Sequence, residues 1–232
     1  MLQAALNGAR SPDEHPALPV TPDQLAADAR SVVDEGSRSL HFHPRDAAGA
    51  ESLVPADVAA ALRAVRSAVP GIEVSLSTGL WIAGHRRLEL IAGWTELPEL
   101  ASINLSEPGW QELATLVTGR GIGIEAGLGS TSDAEALVAS ALRPARVLVE
   151  IDDETLDGRS AAAAADAIEA RLEGFAAPRL HHGVGPATWA VIEAAGPHDT
   201  RIGLEDVLTL PGGDQAPGNA SLVAAAYRLN GP

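Results

Sequence analysis

Short apolar runs recur along the chain, separated by stretches in which apolar residues return every three or four positions. The runs at 2–7, 39–44, 73–78, 100–106, 121–126, 146–151, 178–182 and 200–205 have the length and composition of buried strands. The stretches between them carry helix signals. Thr21-Pro22-Asp23-Gln24 reads as a capping box with proline at the first helical position. Leu25, Ala29, Val32 and Val33 then form one apolar stripe, and Gly36 ends the helix. Pro55 opens a second helix with Val58, Leu62 and Val65 on one face, and Ser132 with Glu135 reads as a capping box ahead of Leu137, Val138 and Leu142. The same spacing predicts helices over 84–95, 109–119, 160–173, 185–195 and 219–229.

Strands separated by helix-length segments imply βαβ crossovers and a parallel sheet. Eight such units predict closure into a (β/α)8 TIM barrel, one catalytic domain over residues 1–232. An open doubly wound sheet is the rival, but the chain has no G-x-G-x-x-G after the first strand and no G-x-x-x-x-G-K-[ST] anywhere.

Composition narrows the chemistry. A net charge of −15 leaves no general nucleic-acid footprint, although a local arginine cluster can still hold an anion. No apolar run is long enough to predict a transmembrane helix, and MLQAALNGAR does not read as a secretory signal, so no membrane partner is expected and cytoplasmic residence fits. Cysteine is absent, so a metal site here must use histidine and carboxylate.

Barrel enzymes carry their catalytic groups at the C-terminal ends of the strands. Here those ends offer Asn7 and Arg10; His41, His43, Arg45 and Asp46; Ser77 and Thr78; Asn104, Ser106 and Glu107; Glu125; Glu150, Asp152 and Asp153; His181 and His182; Glu205 and Asp206. His41 and His43 are two apart, which puts both rings on one face of a strand and Phe42 on the other. That spacing suits one metal ion, and it suits equally two hydrogen-bonded histidines near a rim. Arg201, Gly203 and Glu205 share a face by the same alternation. Strand eight of a closed barrel lies beside strand one, so Glu205 can approach the two histidines and leave an open position on a catalytic metal. Of the adjacent His181 and His182, at most one faces the interior. Ser77-Thr78-Gly79 can offer hydroxyls and backbone N–H groups to an anion or be a plain strand end. Glu125 and Glu150 can support the histidines or pair with Arg45 or Arg201.

The ordered motifs NGAR at 7–10, PVTP at 19–22, HFHPRD at 41–46, STG at 77–79, GIEAGL at 123–128, RIGLED at 201–206 and NASLV at 219–223 resemble the beta-keto acid cleavage enzymes. The resemblance implies a zinc-dependent barrel, usually a homotetramer, that condenses a β-keto acid with acetyl-CoA to give acetoacetate and a new acyl-CoA. It implies Zn2+ or another divalent metal on His41, His43 and Glu205. It makes Arg201 and Asp206 the catalytic pair that anchors substrate and assists proton abstraction. The substrate contacts expected are Arg10, Ser77, Thr78, Asn104 and Glu125. The family commonly has glutamate where Arg10 stands, so a neutral or acidic substrate is expected in place of an amine-bearing one. Two other functions use the same residues: a CoA-independent metal hydrolase or retro-aldol lyase, and a non-catalytic binding barrel.

Overall fold

Eight parallel strands close into a barrel in the order of the chain, in a computed structural model that describes residues 1–152 and 158–230. The strands are β1 (Leu2–Ala5), β2 (Ser39–Phe42), β3 (Glu73–Ser77), β4 (Leu100–Asn104), β5 (Gly123–Leu128), β6 (Arg146–Ile151), β7 (Arg179–Gly183) and β8 (Asp199–Ile202). β8 returns to β1, with Gln3 opposite Arg201. The helices are α1 (Pro22–Asp34), α2 (Pro55–Ala68), α3 (Leu80–Ala83), α4 (Arg87–Ala92), α5 (Trp110–Gly119), α6 (Thr131–Ala139), α7 (Gly158–Arg171), α8 (Thr188–Ala194) and α9 (Asn219–Asn230). Among the described residues no helix is long and apolar enough to cross a membrane. Asp153, grouped above with the end of strand six, lies outside the described residues.

The outward strand positions carry the main apolar core. Leu40, Phe42, Val74, Leu76, Ile124 and Val149 are buried against the helices together with Leu25, Leu62, Leu113 and Leu137. The inward positions mix the two kinds: Ala5, Leu100, Leu148 and Leu180 are buried there among polar groups. Glu125 is fully buried and accepts hydrogen bonds from Gln3 Nε2 (2.9 Å), Arg146 Nε (2.9 Å) and Ser75 Oγ. Arg146 also reaches Glu73 at 3.0 Å. Part of the branched aliphatic filling usual inside such barrels is replaced here by a hydrogen-bonded network.

The capping box at Thr21 is present: Thr21 Oγ1 accepts from Gln24 N at 3.2 Å, and Gln24 Oε1 accepts from Thr21 N at 2.9 Å. The one read at Ser132 is displaced. Ser130 is the extended residue that caps α6, accepting from Asp133 N at 3.2 Å, and Ser132 is already helical. The helix expected over 84–95 is broken, because Gly84 takes a φ of 53° that ends α3 and starts a 3-10 turn before α4. Strand eight is shorter than expected. It stops at Ile202, and Gly203–Asp206 form a turn in which Asp206 N donates to Gly203 O at 2.9 Å. A Cβ on Gly203 would lie 1.8 Å from the carbonyl oxygen of Ala5, so glycine is what lets this turn close over β1.

The last helix fastens the barrel's seam. Asn219 Oδ1 accepts from Leu204 N (2.6 Å), while its Nδ2 donates to Leu6 O (2.8 Å) and Asp28 Oδ2 (2.6 Å). Burial raises the Asp28 pKa from its ordinary 3.8 to about 6, against the opposing hydrogen bonds of Asn219 and Ser31. The folded state therefore holds this proton more tightly than the unfolded chain. The stabilisation is complete below the ordinary value and is lost as pH rises through about 6. Asp28→Asn keeps an acceptor for Asn219 and removes the titration. It is expected to raise the melting midpoint at pH 7.5 by about 3–6 °C and to flatten its dependence between pH 4 and 7; calorimetry across that range checks both.

Candidate metal centre

His41 lies inside β2, and His43 follows one residue beyond its end. Their rings meet edge to face, with centroids 5.3 Å apart. The backbone of His43 is held in register by Asn7, which accepts from His43 N (2.9 Å) and donates to His43 O (3.0 Å), extending the pairing of the first two strands. Gly8, with a φ of 54°, makes room for the third group: a Cβ there would come within 2.4 Å of Glu205 Cγ. The NGAR and RIGLED motifs are thus complementary parts of one site.

Glu205 Oε1 lies 3.7 Å from His41 Nε2 and 3.5 Å from His43 Nε2. Ligands about 2.0–2.1 Å from a tetrahedral metal stand roughly 3.3 Å apart, so these spacings need little adjustment. Glu205 Oε2 is buried and has no hydrogen-bond partner among the described residues. The other nitrogen of each ring is engaged: His41 Nδ1 with Ser75 Oγ at 3.3 Å, and His43 Nδ1 with Glu51 Oε1 at 2.5 Å. Both Nε2 atoms are therefore left for a common ligand. The donor set and the orphaned carboxylate oxygen both fit a divalent ion.

The charges are arranged unequally. Burial depresses the His41 pKa to about 4, with Glu205 pulling the other way. Burial also opposes charge on His43, but Glu205 and Glu51 outweigh it and raise the pKa. For Glu205, burial would favour the neutral acid; Arg201 and the two histidines overcome that and hold the pKa well below the carboxylate norm. Arg201 NH2 donates to Glu205 Oε1 and Asp206 Oδ1, both at 2.7 Å. Asp206 is kept ionised against its own burial by Arg201 and His182.

A cavity of about 320 Å³ opens above these groups, and Arg10, His41, His43, Ser77, Asn104, Arg201 and Glu205 line it. The remaining substrate and catalytic residues expected from the sequence lie outside its wall. Thr78 turns away to donate to Ser102 O at 2.5 Å. Glu125 sits beneath the site in the interior network, where burial opposes its charge and Arg146, His41 and Ser75 sustain it. Asp206 is fully buried behind Arg201. Of the two histidines in β7, His182 faces inward, 3.7 Å from Glu150 Oε2 and 3.5 Å from Asp206 Oδ1, whereas His181 faces outward. Neither nitrogen of His182 has a hydrogen-bond partner among the described residues.

Several wall residues carried no sequence signal. Glu14 lies in the loop after β1 and meets Arg10 NH1 at 3.0 Å, so the wall presents an ion pair where a bare arginine was expected. Trp81 stands 55% exposed at the rim, and its Nε1 donates to both oxygens of Glu51 at 3.1 and 3.2 Å. Ala9 and Ser102 also line the cavity, as does Glu150, a strand-end carboxylate that the sequence offers.

Glu51 fixes which nitrogen of His43 is free, so its loss should weaken a metal without removing a ligand. Glu51→Gln is expected to lower zinc affinity about 10–100-fold at unchanged stoichiometry, as measured by chelator competition.

The family model for beta-keto acid cleavage enzymes matches residues 1–151, and so covers β1 through β6. Among solved structures, apo ObcA superposes with a TM-score of 0.73 at 15% identity, over 92% of this chain and 61% of that one. A ternary complex of ObcA with a C4-CoA adduct and oxalate gives 0.73 at 16%, and a binary complex with oxaloacetate gives 0.72 at 15%. The chain thus spans about three fifths of ObcA's length. The 3-dehydroquinate dehydratase of Geobacillus kaustophilus HTA426 shares the barrel with a TM-score of 0.62 at 11% identity, over all of this chain and 92% of its own. At these identities the structural likeness speaks for the fold, and the match over the first six strands speaks for descent: the chain belongs to the beta-keto acid cleavage enzyme family.

Proposed function

We propose that the protein cleaves a β-keto acid in a metal-dependent reaction with acetyl-CoA, giving acetoacetate and a new acyl-CoA. The observation that carries this reading is the convergence of His41 Nε2 and His43 Nε2 on Glu205 Oε1, beside a buried carboxylate oxygen with no partner. A divalent metal of the zinc class, held by His41, His43 and Glu205, would supply Lewis acidity at the keto oxygen and counter the charge that develops there. ObcA lends support, since oxaloacetate is itself a β-keto acid and ObcA is also seen with a C4-CoA adduct.

The chain's own groups then divide the work. Arg201 faces the cavity and binds the substrate carboxylate by a charge-assisted hydrogen bond from Nη1, since Nε and Nη2 serve Asp206 and Glu205. Ser77 and Asn104 hydrogen-bond the remaining oxygens from β3 and β4. The Arg10–Glu14 pair closes the outer wall and suits a neutral, polar tail, since each charge already has its counterion. Asp206, held ionised by Arg201, takes the C2 proton. C2 bonds to the acetyl carbonyl carbon and the CoA thiolate leaves. The thiolate adds to the keto carbon, the bond from that carbon to C2 breaks, and Asp206 returns its proton to the acetoacetate carbon. No proton is gained or lost overall.

One observation favours a second candidate for the proton acceptor. Glu150 lines the cavity, whereas Asp206 is fully buried. Asp206→Asn is expected to slow deuterium exchange at substrate C2 by about 10²–10⁴-fold while Glu150→Gln retains it. The reverse result moves the role to Glu150.

A panel of β-keto acids with acetyl-CoA, read by mass spectrometry, tests the reaction itself. Acetoacetate and a new thioester in equal amounts are expected, and both are expected to be lost in the His41→Ala/His43→Ala protein together with the metal of this site. Turnover without acetyl-CoA would make the protein a hydrolase or lyase, and tight binding without turnover would make it a binding barrel.

A further inference from the structure

The second histidine cluster lies at the opposite end of the barrel. Strand alternation sends His182 inward and His181 outward, towards α7. There His181 Nε2 meets Glu169 Oε1 of α7 at 2.8 Å. His198, on the loop that leads into β8, stacks on the His181 ring with centroids 4.6 Å apart and an interplanar angle of 22°. One nitrogen from each ring and one oxygen of Glu169 fall within 4.8 Å of one another. His198 precedes Asp199, the first residue of β8, and the cavity beside the cluster is lined by residues 175–179 and 197–199, the segments that lead into β7 and β8. The cluster is therefore at the N-terminal face, across the barrel from His41 and His43.

We infer that Glu169, His181 and His198 form a second divalent-metal site, of the zinc class, that ties α7, β7 and the loop before β8 together. The ligand types match those of the first site: two imidazoles and one carboxylate. The carboxylate is held for the purpose. Arg179 Nε donates to Glu169 Oε2 at 3.3 Å, which leaves Oε1 facing His181. The rest of that guanidinium is anchored on the carbonyl oxygens of Leu172 (3.1 Å), Phe175 (2.9 Å) and Ala177. Arg179 and Glu169 cancel in charge, so an added dication meets a neutral ligand set. His181 is buried while His198 is partly exposed, so the ring that must turn to aim its lone pair is the free one. A cavity of about 420 Å³, lined by Glu169, Arg179, His198 and Asp199, gives the ion and its remaining water ligands a way in. Catalytic groups of such barrels sit at the C-terminal face, so an ion at this end is structural and the cleavage reaction proceeds without it.

Equilibrium dialysis of untagged, metal-stripped protein against Zn2+, followed by elemental analysis, counts the sites. The wild type is expected to bind two equivalents and His41→Ala/His43→Ala one. His198→Gln is expected to bind one and to keep the wild-type cleavage rate. His198→Phe, which preserves the stack but has no lone pair, should behave as His198→Gln does. In the His41→Ala/His43→Ala background Zn2+ should raise the melting midpoint by several degrees, and adding His198→Phe should abolish the shift. The inference is overturned if His41→Ala/His43→Ala protein binds no Zn2+, or binds an equivalent that neither His198 variant removes. A single wild-type equivalent that survives His41→Ala/His43→Ala and disappears with His198→Phe would instead support this site and overturn the first.

Discussion

A carboxylate at the centre of the barrel is the constraint from which the rest follows. Glu125 has no exposed surface, and a buried charge is tolerated only when it is paired and hydrogen-bonded. Arg146 supplies the countercharge, and Gln3 and Ser75 take up remaining acceptor positions. Removing one partner from such a pair typically costs about 3–5 kcal/mol, because the other is stranded. The network does not end at its own satisfaction. Ser75 also touches His41 Nδ1, so the group that completes the buried carboxylate also orients the metal-facing imidazole. Fold stability and site geometry therefore share a side chain.

Above that layer the electrostatics are graded by position. His41 has Ser75 at its Nδ1 and is driven to the neutral form by burial, while His43 has Glu51 there, which with Glu205 raises its pKa against its burial. Glu205 and Asp206 stay ionised against their burial because Arg201 touches both. Two adjacent carboxylates on one guanidinium keep the arginine charged and the acids deprotonated at every physiological pH.

The barrel was legible because its signal is long and periodic: apolar strands at regular intervals, with capping and proline signals between them. That His41 and His43 share a face was legible because a spacing of two along an extended chain fixes that face. What failed was whatever a loop decides. Strand alternation would send Glu205 and Asp206 to opposite sides, yet the turn after Ile202 brings both to Arg201. Glu14, Glu51 and Trp81 reach the cavity from connections whose paths no periodicity specifies. Glu125 was legible as an inward residue but not in depth, since alternation gives the face and not the height along the axis. Gly84 broke an otherwise helical stretch through a backbone conformation that composition alone does not announce.

The seam fastened by Asn219 has a consequence in time. His41 and His43 leave the ribosome early, while Glu205 and the helix that clasps Leu6, Asp28 and Leu204 come last. At ordinary synthesis rates the interval is roughly 10–30 s. Throughout it the nascent chain carries two imidazoles without their carboxylate, a half-made chelate open to any soft cation nearby. The order of strands around the barrel makes selection of the right metal an event that follows translation.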